Sequence, residues 1–202
     1  MKIGVITTGR NNLNAVINIL TELGVESHIV DEPSKFEQID ALILPGVGSF
    51  DAAIQYMKRQ DVYHHVESWV TNDKPTLAIC LGFQLLFEGS EEGELNGLGV
   101  IPGKCKKFGS SLKVPRIGWS FIDWSDHSPF GMTDTSERFY LVHSYHAPRN
   151  NFEIALSHYG EDYCVAVKKG NVIGTQFHPE KSLKFGMDIF KKFIGIVNDG
   201  KA

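Results

Sequence analysis

Apolar residues along this chain follow two rhythms, and the change between them falls near residue 99. In the N-terminal half an unbroken apolar run over residues 3–6 predicts a buried strand. Leu13, Val16, Ile17, Leu20 and Leu23 then recur at helical spacing until Gly24 stops the helix. Residues 25–30 and 41–44 read as further strands, 52–58 and 62–70 as helical turns, 76–79 as a fourth strand and 83–87 as a helix-like stretch. Strands alternating with helices imply a parallel sheet with right-handed crossovers. From residue 99 onward the segments 100–108, 117–124, 139–142, 152–157, 164–169 and 172–177 read as closely spaced strands between Gly, Asn, Asp and Ser turns. Lys169-Gly170-Asn171 is a tight-turn signal, so this half is expected to be mainly antiparallel. Ser182 opens a last amphipathic helix whose buried face is Met187, Ile189, Phe190, Phe193, Ile194 and Val197. The expected fold is α/β: an open, mostly parallel central sheet flanked by helices, with an additional antiparallel C-terminal sheet, in one domain over residues 1–202.

Composition narrows the function classes without choosing one. The 202 residues, 42% hydrophobic and 22% charged, suffice for one large domain with a continuous core. Lys and Arg total 20 against 24 Asp and Glu, and the net charge of -4 gives no electrostatic reason to expect nucleic acid or an anionic membrane surface. No stretch approaches the roughly 20 apolar residues that cross a bilayer, and the N-terminus enters a strand pattern at once, so a cytoplasmic protein is expected. Cys80, Cys105 and Cys164 are odd in number and widely spaced, which suggests neither a disulfide framework nor a metal site.

Two segments a hundred residues apart carry the chemistry. In Pro75-Thr76-Leu77-Ala78-Ile79-Cys80-Leu81-Gly82 an apolar strand runs into a cysteine flanked two positions away by small residues, and a helix-like stretch follows. A sharp strand-to-helix turn needs that small pair, because it holds a nucleophile in a strained backbone and pushes its side chain outward. In Thr175-Gln176-Phe177-His178-Pro179-Glu180 a strand ends at a histidine and a carboxylate follows two positions on. Cys80 as nucleophile, His178 as base and Glu180 as orienting acid form a nameable triad. The loop Pro45-Gly46-Val47-Gly48-Ser49-Phe50 also leaves a strand end, where ligand sites of open parallel sheets lie. Its amides, with that of Leu81, suit an oxyanion. Cys105 and Cys164 read as buried hydrophobes, and His64, His65 and His127 as turn or surface residues.

With these residues assembled, the chain resembles the class I glutamine amidotransferases, a flavodoxin-like fold. Within that family it is most similar to the glutaminase subunits of imidazole glycerol phosphate synthase. The resemblance rests on six blocks in order: residues 44–50, residues 79–87 with Ser90-Glu91-Glu92, residues 97–103, Lys113-Val114-Pro115-Arg116-Ile117-Gly118-Trp119, Phe139-Tyr140-Leu141-Val142-His143-Ser144-Tyr145, and Gln176-Phe177-His178-Pro179-Glu180-Lys181-Ser182. It implies that Cys80 attacks the side-chain amide of L-glutamine while His178, oriented by Glu180, shuttles the proton. It further implies that Gln84, Glu92, Ser144 and Tyr145 hold the substrate, and that the amides of Val47 or Gly48 and of Leu81 stabilise the oxyanion. No cofactor is implied. The partner it implies is a (β/α)8-barrel cyclase subunit, HisF-like, in a heterodimer. That partner combines ammonia with PRFAR to give imidazole glycerol phosphate and AICAR in histidine biosynthesis, and Asn12, Trp119, Tyr140 and Lys181 sit at positions the family uses near the interface.

Some positions depart from the family pattern. Where the family usually shows Asp-Tyr-Gly-x-Gly-Asn-Leu, this chain has Thr7-Thr8-Gly9-Arg10-Asn11-Asn12-Leu13. Ala78 and Phe83 replace a usual glycine and methionine within the same size class. The triad is untouched, but the N-terminal loop faces the partner in the family. A paralogue feeding ammonia to another acceptor, such as a synthase in surface polysaccharide assembly, is the alternative. A cysteine hydrolase acting on peptides or small adducts, and an idle binding subunit, are two further readings.

Overall fold

The computed structural model describes residues 1–9, 12–130 and 137–200, so Arg10 and Asn11 of the N-terminal loop lie outside the described residues. The first half alternates as the periodicity requires: β1 (Lys2–Ile6), α1 (Leu13–Glu22), β2 (Glu26–Val30), β3 (Ala41–Gly46), α2 (Phe50–Arg59), α3 (Tyr63–Thr71), β4 (Thr76–Cys80) and α4 (Leu81–Leu85). A short 3-10 helix over Pro33–Gln38 joins β2 to β3. Then come β5 (Phe87–Ser90), β6 (Ile101–Lys107), β7 (Arg116–Phe121), β8 (Asp123–Trp124), β9 (Arg138–His143), β10 (Tyr145–His146), β11 (Glu153–Tyr159), β12 (Glu161–Lys169) and β13 (Val172–Thr175). A 3-10 turn over Pro179–Lys181 and the long α5 (Leu183–Asp199) close the chain.

Among the described residues, eight strands form one sheet in the order β2-β1-β3-β4-β13-β12-β11-β8. The pairs from β2 through β13 are parallel and the pairs from β13 to β8 are antiparallel. The antiparallel sheet expected of the C-terminal half is present as the separate ribbon β7-β9, and the other antiparallel strands of that half mostly lengthen the central sheet. A three-stranded sheet β10-β6-β5 packs beside them.

Strand alternation divides the core into two layers. Leu42, Leu44 and Ala78 face the cluster built with Phe50, Ile54, Met57 and Val66 of α2 and α3. Ala41, Ile43, Leu77 and Ile79 face the opposite cluster, which holds Val16 and Leu20 of α1 with Ile189, Phe190 and Phe193 of α5. Those three α5 side chains are fully buried, each contributing about 1.5–3 kcal/mol of transfer free energy. Gly24, at φ 70°, ends α1 as its position in the pattern predicts.

Two local readings need correction. The helix after Cys80 stops at Leu85, and Phe87, expected to continue it, begins β5 beside β6. The strand expected over residues 117–124 is two strands in different sheets, β7 and β8, parted at the buried Ile122. Ser182 opens α5 as expected, and its hydroxyl, instead of capping the helix, donates to the His178 carbonyl at 2.6 Å and accepts the Tyr140 amide at 3.0 Å.

Candidate active site

Adjacent parallel strands end together, and here that brings three distant segments to one edge. In the sheet β3, β4 and β13 are neighbours, with Gly46 opposite Cys80 and Thr175 opposite Ile79. The loop after β3, the turn at Cys80 and the segment reaching His178 therefore leave the sheet side by side.

Cys80 occupies φ 53°, ψ -103°, a strained conformation for a residue with a side chain, at the junction of β4 and α4. The strain is held by close packing. A Cβ on Gly82 would lie 1.8 Å from the Leu44 carbonyl oxygen, and one on Gly46 would lie 3.0 Å from the Leu81 Cβ. Gly82, one of the two small residues the sequence places around Cys80, thus lets α4 sit against β3, and Gly46 on β3 does the same from the other side. The Cys80 side chain is not sealed in hydrocarbon: it opens into a cleft of about 250 Å³ that His178 also lines. Its Sγ lies 3.9 Å from the Val142 carbonyl and 3.8 Å from the Gln176 amide nitrogen.

His178 is almost fully buried, and its Nδ1 donates to Glu180 Oε1 at 2.7 Å. A carboxylate can only accept, so Nδ1 carries a proton and Nε2 is left for proton exchange in the cleft. Nε2 has no hydrogen-bond partner among the described residues. Burial pulls the His178 pKa down, but the charges on Cys80 and then Glu180 outweigh it and raise the value to about 10. Glu180 is itself only 5% exposed, inside the Pro179–Lys181 turn, so its carboxylate is held against the imidazole and away from solvent.

The cleft is also lined by Val47, Gly48, Leu81, Gln84, Glu92, Ser144 and Tyr145, all of the residues expected to hold substrate. Glu92 accepts the Phe50 amide at 2.9 Å, at the start of α2, and burial, with Asp51 adding to it, raises its pKa despite that bond. Gln84 Nε2 donates to the Tyr145 carbonyl at 2.9 Å and to Gln176 Oε1 at 3.0 Å. Among the described residues no cluster of His, Cys, Asp and Glu is arranged to hold a metal ion.

A model of the family described as Glutamine amidotransferase class-I matches residues 5–196. The chain belongs to the class I glutamine amidotransferases. Curated relatives of this amidotransferase include the imidazole glycerol phosphate synthase subunit HisH of Halalkalibacterium halodurans, 38% identical over 98% of this chain and 97% of that one. HisH of Sulfurimonas denitrificans is 39% identical over 95% and 96%. The subunit HisH 2 of Pseudomonas aeruginosa is 39% identical over 96% and 98%. Among solved structures, PurLQS from Thermotoga maritima superposes with a TM-score of 0.75 at 18% identity, covering 97% of this chain and 98% of the other. A further glutamine amidotransferase superposes at 0.73 with 20% identity, over 97% and 98%. These two structural likenesses speak to the fold alone.

In this amidotransferase three of the four residues expected at a partner interface form a cluster beside His178. The Trp119 and Tyr140 rings meet edge to face at 5.9 Å, Lys181 Nζ lies 5.7 Å from the Tyr140 ring centre, and Tyr140 lies 6.4 Å from the His178 ring. Asn12 is exposed at the start of α1, which packs against the Pro179–Lys181 turn.

Sequence reasoning passed over several cleft residues. Pro115, Val142 and His143 line it, and Gln176 sits behind it against the thiol. His143 is not a second base: burial pushes its pKa down to about 3, and its Nδ1 donates to the Tyr145 carbonyl at 2.8 Å. Cys105 and Cys164 are buried thiols, as expected, with burial pushing Cys105 well up and Cys164 to about 12. Gln176 had one available signal, its two-residue spacing from His178.

Proposed function

We propose that the whole chain, residues 1–202, acts in the cytoplasm as one domain, the glutaminase subunit of imidazole glycerol phosphate synthase, in a heterodimer with a (β/α)8-barrel, HisF-like cyclase. The Cys80 sulfur attacks the carboxamide carbon of L-glutamine, and the amides of Val47 or Gly48 and of Leu81 hold the oxyanion that forms. His178 gives its Nε2 proton to the departing nitrogen, leaving a glutamyl thioester and free ammonia. A water, deprotonated by the same nitrogen, then attacks the thioester, releases glutamate and restores the thiol. Glu180 keeps the imidazole oriented throughout, and Gln84, Glu92, Ser144 and Tyr145 hold the amino acid ends of the substrate. The ammonia passes to the cyclase, which joins it with PRFAR to give imidazole glycerol phosphate and AICAR.

The observation that carries this reading is the convergence of Cys80, His178 and all seven substrate positions on one cleft. A docking surface adjoins it. On β7 the side chains of Ile117, Trp119 and Phe121 are all exposed on one face, and Trp119 and Phe121 border an open hollow of about 740 Å³ with Leu183 and Phe185. Such an exposed apolar row beside a catalytic cleft fits a partner surface. The departures at residues 7–13 favour one second reading, a paralogous glutaminase serving another synthase. Reconstitution with a PRFAR-consuming cyclase decides between them. Glutamine-dependent formation of imidazole glycerol phosphate supports the first, and glutamine hydrolysis without transfer to that cyclase supports the second. Labelling with a glutamine-analogue electrophile tests the nucleophile separately, since Cys80→Ala protein that takes up label like the parent would refute the assignment.

A further inference from the structure

We propose that Gln176 is a positioning residue of the glutaminase centre. It delivers an amide N–H to the Cys80 sulfur, with its orientation dictated by the backbone carbonyl of Tyr145 acting through Gln84. The inference rests on Cys80 being the nucleophile.

One group behind the cleft has a polarity beyond choice. A carbonyl oxygen can only accept, and the Tyr145 carbonyl receives His143 Nδ1 at 2.8 Å and Gln84 Nε2 at 2.9 Å. The nitrogen of the Gln84 amide must therefore face it, because the reverse orientation would set oxygen against oxygen. That nitrogen also lies 3.0 Å from the terminal atom of Gln176, which must then be Oε1. The Gln176 nitrogen is left pointing the other way, 3.8 Å from Cys80 Sγ. Two side-chain amides that are ambiguous in isolation are thus fixed in series by one carbonyl.

The consequence for the sulfur is chemical. Beside the His178 imidazole, whose positive charge favours the thiolate, the two other polar neighbours pull in opposite directions: the Val142 carbonyl at 3.9 Å accepts from the thiol and offers nothing to a thiolate, whereas the Gln176 N–H strengthens as negative charge forms. Gln176 is wholly buried, so no water competes for that donor. Its backbone is held as well, by donation to the Val165 carbonyl at 2.8 Å. The same relay leaves Gln84, which lines the cleft, with Oε1 as its remaining polar atom, an acceptor available to an N–H of the substrate.

The test is the pH profile of iodoacetamide alkylation at Cys80 in the full chain, read by mass spectrometry, with Cys80→Ala as the blank. Gln176→Glu keeps the shape and the acceptor toward Gln84 but replaces the donor with negative charge. Gln176→Met keeps the volume and removes polarity. Both should move the alkylation midpoint upward by roughly one unit or more, with the larger shift for Gln176→Glu. Gln84→Met, which frees Gln176 to turn, should move it the same way by less. In complex with the cyclase, Gln176→Met should lower kcat more than it raises KM. A midpoint unchanged or lowered in whichever Gln176 variants fold would overturn the assignment and leave a packing role. A parent chain whose Cys80 resists alkylation at every pH would defeat the nucleophile reading, and this inference with it.

Discussion

At the scale of single residues, the proposed triad depends on a charge balance that burial opposes. The His178 pKa stands at about 10 although burial alone would depress it, because the Cys80 charge and then Glu180 lift it. Cys80→Ala removes the first of these, so the imidazole midpoint followed by NMR titration should fall by units toward or below the ordinary 6.5. Glu180→Gln should lower it in the same sense. The sign for stability follows from the raised value. The contribution of His178 is complete below about 6.5, its unfolded value, and is lost as pH climbs through about 10, and Cys80→Ala should flatten that loss in denaturant titrations. Backbone space is the second constraint at this scale. Gly82→Ala drives a methyl to 1.8 Å from the Leu44 carbonyl oxygen and should cost about 3 kcal/mol in chemical unfolding together with glutaminase activity. Gly24→Ala, at φ 70° with nothing within 4 Å, should cost only about 1 kcal/mol and spare activity.

Elements couple the cleft to the sheet in ways that pattern reading captures unevenly. The start of α2 and the loop after β5 clasp each other: Glu92 accepts the Phe50 amide, while Asp51 accepts the amides of Glu94 at 3.0 Å and Leu95 at 3.1 Å. Asp51→Ala opens half of this clasp and releases the loop that aims Glu92 into the cleft. The expected outcome is a KM for glutamine raised about tenfold with kcat little changed, and a stability loss of about 1–2 kcal/mol from the lost charged acceptor. None of this clasp was legible in the sequence, because hydrogen bonds between a helix start and a loop some forty residues away leave no periodic trace. The parallel half was legible, since strands buried on both faces and amphipathic helices have distinct rhythms. Cys80 was legible for a related reason: a tight strand-to-helix turn requires small residues on either side of it, and a cysteine that merely fills the core does not. Phe87 misled because Phe83-Gln84-Leu85-Leu86-Phe87 is mostly apolar, and such a run has no period to separate the end of α4 from β5. Residues 117–124 misled because one extended run can change sheets at a single buried position, here Ile122.

On the scale of the whole molecule, the cleft and the apolar row on β7 lie on linked elements. Trp119 touches Tyr140, Tyr140 approaches His178, and the His178 amide donates to the Tyr140 carbonyl at 2.9 Å. A partner seated on β7 and β9 would therefore press on the strand to which His178 is tied. That arrangement gives activation of the glutaminase by a partner a physical route, since binding need only favour one setting of this strand and of the exposed Val47-Gly48 loop. Binding and chemistry can be separated at Trp119. Trp119→Ala should weaken cyclase binding by ten- to a hundredfold in calorimetric titration, as loss of a large aromatic anchor commonly does, while the iodoacetamide profile of Cys80 in the isolated chain stays that of the parent. Ile29, equally apolar and 39% exposed but on the edge strand β2, supplies the control, and Ile29→Ala should bind as the parent does. Equal affinity of the Trp119→Ala and parent chains would remove β7 from the interface and with it the route from partner to histidine.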